Sequence, residues 1–77
     1  MDMPREAEIQ EAARRLKTLS RRQQQILDKV IASVPNKEIA FDLGLSEKTV
    51  ETHRARLMRK LGARSLQDLM RLVLRAR

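Results

Sequence analysis

The chain has 77 residues, a formal net charge of +7 and no cysteine. That length holds one small domain with a thin core, and the absence of cysteine excludes a disulfide scaffold or a thiolate metal site. Apolar residues make up 42% and charged residues 35%, a balance that suits a folded domain rather than a disordered tail. Gly and Pro total four and Phe41 is the single aromatic residue, so helix breakers and β-formers are scarce and the expected fold is all-α.

Pro4 suits the first turn of a helix, where its missing N–H costs nothing. Ile9, Ala12, Ala13 and Leu16 then recur at helical spacing as one narrow apolar stripe. A weakly amphipathic helix over roughly 4–17, a linker or docking element outside the main domain, is expected. The division is therefore 1–17 as linker helix and 18–77 as the domain proper. The next helix has its start signal at Ser20 and Gln23, the two ends of a capping box. Ile26, Leu27, Val30, Ile31 and Val34 form its buried stripe, and Pro35 stops it.

Asn36 is expected to cap the second core helix, which turns Ile39, Ala40 and Leu43 inward and ends at Gly44. Ser46 caps the third, with Leu45 and Val50 flanking the cap as a hydrophobic staple. Val50, Leu57 and Leu61 mark the buried side of that helix, and Gly62 ends it. Ser65 caps the fourth, with Asp68 in its first turn favouring the helix dipole.

The charge is unevenly placed. Residues 1–45 hold 8 Lys/Arg against 7 Asp/Glu, whereas residues 46–77 hold 9 against 3. Twelve of the 17 cations are Arg, whose planar fork matches phosphate and guanine edges. A basic second half points to a polyanion, nucleic acid ahead of an anionic membrane surface, with a solubilising face as the plain alternative.

Two helices joined through Gly44 by about three residues have the signature of a helix-turn-helix. Ile39, Leu43, Leu45 and Val50 are apolar where the helices cross, and Ala40 is small where they approach. An ordinary helical hairpin is the alternative. In a helix-turn-helix the second helix enters the DNA major groove. Projected at 100° per residue, its outer face holds Lys48, Thr52, Ala55 and Arg59, flanked by Glu51 and Arg56, and Lys48, Glu51, Thr52, Ala55 and Arg56 are the expected base readers. Lys48 and Arg56 suit guanine, Glu51 suits cytosine, and Thr52 and Ala55 suit a thymine methyl. For Glu51 a helix-stabilising role or a pair with Arg54 is the alternative. Asn36, Lys37, Ser46, Thr49, His53, Arg54 and Arg59 are the expected phosphate contacts. His53 is also suited to packing near Val50.

One His and no Cys give no metal ligand set, so no metal is expected. No Gly-rich phosphate loop or paired carboxylates appear, and the serines are better explained as caps. Neither an enzyme nor a cofactor is expected. Single-stranded RNA binding is disfavoured, because Phe41 alone makes no stacking platform. No apolar run approaches membrane length. The acidic MDMPREAE start does not suit a signal peptide, and the expected location is cytoplasmic. Leu66, Leu69, Met70, Leu72, Val73 and Leu74 fill more than one stripe of the last helix. Leu69, Met70 and Val73 can pack on the core, which would leave Leu66, Leu72 or Leu74 exposed.

Leu19-Ser20-x-Arg22, Ile26-Leu27, Asn36-Lys37-Glu38-Ile39-Ala40, Leu43-x-x-Ser46-x-x-Thr49-Val50-x-x-His53 and Lys60-Leu61-Gly62-Ala63-Arg64-Ser65 together resemble the LuxR-type helix-turn-helix. Within it the chain is most similar to effector domains of FixJ/NarL response regulators, over about residues 18–75. The resemblance implies a four-helix domain that binds double-stranded DNA as a homodimer through the last helix. Leu66, Leu69, Leu72 and Val73 are the expected dimer contacts. It also implies a bacterial transcription regulator, with a receiver domain in a parent protein whose phosphorylation would free or dimerise this part. A contact with RNA polymerase is a further expectation, and a natural single-domain regulator is the alternative origin. A helical protein-interaction module without sequence-specific DNA binding is the alternative function. The family usually has acids where this chain has Gln23 and Gln25, and Gly where it has Ser33. Some relatives carry Lys or Arg at the positions of Glu51 and Ala55, so base preference does not transfer.

Overall fold

The computed structural model describes the backbone of residues 2–76 and the side chains of residues 6–76. Five helices follow one another: α1 (Asp2–Lys17), α2 (Arg21–Ile31), α3 (Asn36–Leu43), α4 (Glu47–Leu61) and α5 (Leu66–Ala76). Among the described residues there is no strand. The domain is thus all-α, four helices preceded by one more, as the residue pattern predicts.

Three helices start as their sequences dictate. Ser20 Oγ accepts from Gln23 N at 3.1 Å while Gln23 Oε1 accepts from Ser20 N at 2.9 Å, a complete capping box. Ser46 Oγ accepts from Thr49 N at 3.0 Å, and Ser65 Oγ accepts from Asp68 N at 3.1 Å. The fourth start differs from the expectation. Pro35, not Asn36, is the N-cap of α3, and no side chain caps that end. Asn36 is already helical, and its side chain is engaged elsewhere. A proline fits here because its φ of −65° and missing donor suit the entry to a helix.

Three helices end by one device. Gly44 and Gly62 each take φ +67°, and the next residue reaches back to close the turn: Leu45 N to Ala40 O and Ala63 N to Met58 O, both 2.9 Å. The end of α2 repeats this with Ser33 at φ +64° and Val34 N on Lys29 O at 3.0 Å. The left-handed turn at Ser33, not Pro35, therefore terminates α2. A serine there carries strain that glycine would not.

The core is built from Ile26, Leu27, Ile39, Val50, Leu57, Leu61 and Leu69, all fully buried, with Leu16, Leu19, Val30, Ala40 and Val73 around them. Leu43, Leu45 and Met58 pack at its margin. The helix expected outside the main domain is docked on it. Ala12 and Leu16 of α1 are buried, and α1 lies against α5 and α4. Arg15 Nη1 donates to Leu61 O at 3.1 Å, tying α1 to the last turn of α4, and Glu11 holds the same guanidinium at 3.2 Å.

The last helix sorts its apolar residues differently from the expectation. Leu69 and Val73 are buried in this chain's own core, so these two expected dimer contacts are corrected, while Leu72 is partly buried and packs against that core. Met70, expected inside, is 36% exposed and lies on one flank with Leu66 (44%) and Leu74 (75%). The docking of α1 decides this, because α5 packs chiefly against α1.

Candidate nucleic-acid interface

Helix α4 is anchored by one stripe and presents the opposite one. Val50, Leu57 and Leu61 are fully buried, while Lys48, Glu51, Thr52, Ala55, Arg56 and Arg59 are all exposed. The five residues expected to read bases are therefore brought together on one outer face. Thr52 Oγ1 folds back onto Lys48 O at 3.1 Å, which satisfies the hydroxyl and leaves the methyl for apolar contact. Among the described residues no ion pair engages Lys48, Arg56 or Arg59.

The residues expected at phosphates divide. Lys37 is exposed in the first turn of α3, beside Asn36. Ser46 Oγ donates to Thr49 Oγ1 at 2.9 Å as well as accepting from Thr49 N, so Ser46 is spent as a cap. The Thr49 hydroxyl keeps its own proton to donate. His53 is half-buried on the inner flank of α4. Arg54 is half-buried too, and its Nη1 donates to Asn36 Oδ1 at 3.0 Å. Arg59 shares a concave surface with Arg56, Lys60 and Gln23.

Lys60 was not among the expected site residues. Its ammonium donates to Gln23 Oε1 at 3.0 Å and Thr18 O at 3.2 Å, pinning the end of α4 to the α1–α2 turn. The Lys60-Leu61-Gly62 stretch places a cation just before a helix end, the one signal for it in the sequence. Phe41 also went unassigned; it stands 86% exposed on α3 with Pro35, Lys37 and Glu38 around it. Among the described residues no group of His, Cys, Asp and Glu is placed to hold a metal ion. No helix among them is long and apolar enough to cross a membrane.

A short helix buried on one side, preceded by a second helix and a left-handed glycine turn, and offering exposed cations on its outer side, defines a helix-turn-helix domain. Residues 17–73 match the family described as bacterial regulatory proteins, luxR family, and the chain belongs to that family. It is 53% identical over 60 residues to the transcriptional regulatory protein FixJ of Rhizobium meliloti (strain 1021), covering 78% of this chain and 29% of that protein. It is 57% identical over 60 residues to the transcriptional regulatory protein TdiR of Thauera aromatica, covering 78% of this chain and 26% of TdiR. The crystal structure of full-length FixJ from B. japonicum superposes with a TM-score of 0.86 at 41% identity, covering 95% of this chain and 36% of that one. The chain thus spans about a third or less of the length of these relatives.

Proposed function

We propose that this chain binds double-stranded DNA sequence-specifically as the output part of a bacterial transcription regulator, with α4 in the major groove. The carrying observation is the outer face of α4, where Lys48, Arg56 and Arg59 stand exposed, without an ion pair among the described residues, opposite a fully buried stripe. The major groove admits an α-helix, and each base pair presents a distinct donor and acceptor pattern there. Lys48 and Arg56 donate to guanine O6/N7, Glu51 accepts from cytosine N4, and Thr52 and Ala55 meet thymine methyls. Asn36, Lys37, Thr49 and Arg59 hold the backbone on either side.

Full-length FixJ, TdiR and the response regulator TodT of Pseudomonas putida are several times longer than this chain. The parent in this reading carries a receiver domain whose phosphorylation controls the DNA-binding part, with residues 1–17 as the end of the linker. The chain acts in the cytoplasm. Two copies pair on adjacent half-sites through the exposed flank of α5, Leu66, Met70 and Leu74, and the DNA-bound dimer contacts RNA polymerase.

Selection of bound sequences from random duplex DNA, followed by amide shift mapping with the selected duplex, tests this. Enrichment of a defined site with shifts across residues 47–59 is expected. Unshifted amides over that stretch, or no enrichment, would overturn it.

A further inference from the structure

Arg54 is half-buried beside the apolar stripe of α4, away from its outer face. Counted from Val50 at 100° per residue, it sits about 40° away, in the same stripe as Leu57 and Leu61. Those three neighbours are fully buried. Lys48, Thr52, Ala55 and Arg59 lie about 140–200° from Val50, across the helix. Arg54 therefore faces α3, and there its Nη1 donates to Asn36 Oδ1 at 3.0 Å.

A guanidinium carries donors only. The oxygen of the Asn36 amide must then be the atom turned towards it, and the amide nitrogen, with its two protons, is turned away. Asn36 occupies the first position of α3, an end with no side-chain cap, next to exposed Lys37. The same bond crosses between the two helices of the helix-turn-helix and holds their relative placement.

We propose that Arg54 is a positioning residue: it fixes the Asn36 amide so that its NH₂ donates to a DNA phosphate, and it makes no phosphate contact itself. This rests on the DNA-binding reading above and refines which residue touches the backbone. Thermodynamic coupling separates the two roles. Replacing Asn36→Ala costs one charge-assisted hydrogen bond, about tenfold or more in affinity for every duplex alike. Arg54→Met removes the donor that orients Asn36 and costs the same or less. The double variant loses no more than Asn36→Ala alone, because the second change acts through the first.

The salt dependence separates a positioning role from a direct phosphate contact. Arg54→Met leaves the log–log salt slope unchanged, whereas Lys37→Ala lowers it by about one. The wild-type chain supplies a measurement independent of variant folding: the Asn36 side-chain NH₂ resonances shift on adding the selected duplex, and those of the Arg54 guanidinium do not. Additive losses in the double variant, a slope reduced by about one in Arg54→Met, or a DNA-induced Arg54 shift with unmoved Asn36 would each overturn the proposal while leaving DNA binding intact. A wild-type chain that binds no duplex would overturn the functional reading itself.

Discussion

Lys60 Nζ lies 3.0 Å from Gln23 Oε1, the same oxygen that accepts the backbone N–H of Ser20 at 2.9 Å. One amide thus closes the capping box of α2 and anchors the last turn of α4. Gln23 is buried, and both bonds are part-buried. Gln23→Ala removes both functions and is expected to cost about 1–2 kcal/mol. The melting temperature then falls by roughly 5–15 °C for a domain of this size. Circular dichroism melting checks it, and an unchanged midpoint would show that the amide holds neither helix.

Ser33 holds the left-handed turn that glycine holds at positions 44 and 62. The backbone bonds around it match those at the two glycine turns, so glycine fits without rearrangement. Ser33→Gly is expected to stabilise the domain by about 0.5–1 kcal/mol, the relief of a strained conformation less the added freedom of the unfolded chain. Urea unfolding would show a higher midpoint at constant slope. A lower midpoint would mean that the serine makes a compensating interaction.

The two sides of helix α5 let the proposed pairing be tested apart from stability. Leu69 is fully buried, and Leu69→Ala is expected to cost about 2–5 kcal/mol, enough to unfold much of so small a domain. Leu74 is 75% exposed, and Leu74→Glu is expected to leave the melting temperature unchanged. On a duplex with two half-sites the same variant loses cooperativity, while single half-site affinity stays. Retained cooperativity in Leu74→Glu would remove this flank of α5 from the dimer.

Contacts to bases and to phosphates respond differently to the same kind of substitution. With about five phosphates neutralised per domain, the log–log salt slope of binding is expected at roughly −4 to −5. Arg56→Ala is expected to cost about 1–3 kcal/mol and to relax preference at one base pair, whereas Lys37→Ala weakens all sequences alike. Titrations against a panel of single-base variants of the selected site distinguish the two. Intact sequence preference in Arg56→Ala would remove Arg56 from the base readers.

The sequence by itself determined the helices of the domain and the face of α4 turned to solvent. Those features rest on short-range chemistry: serine hydroxyls reach N–H groups three residues on, glycine alone takes a left-handed turn without strain, and a single apolar stripe such as Val50, Leu57 and Leu61 has one way to bury itself. The tertiary structure alone decided where α1 lies, which stripe of α5 faces inward, and that Arg54 meets Asn36. Helix α5 has apolar residues on more than one side, so its neighbours choose among them, and the docking of α1 covers Leu72 while leaving Met70 outside. Arg54 and Asn36 lie 18 residues apart on different helices. Their partnership depends on how α3 crosses α4, which no local periodicity encodes.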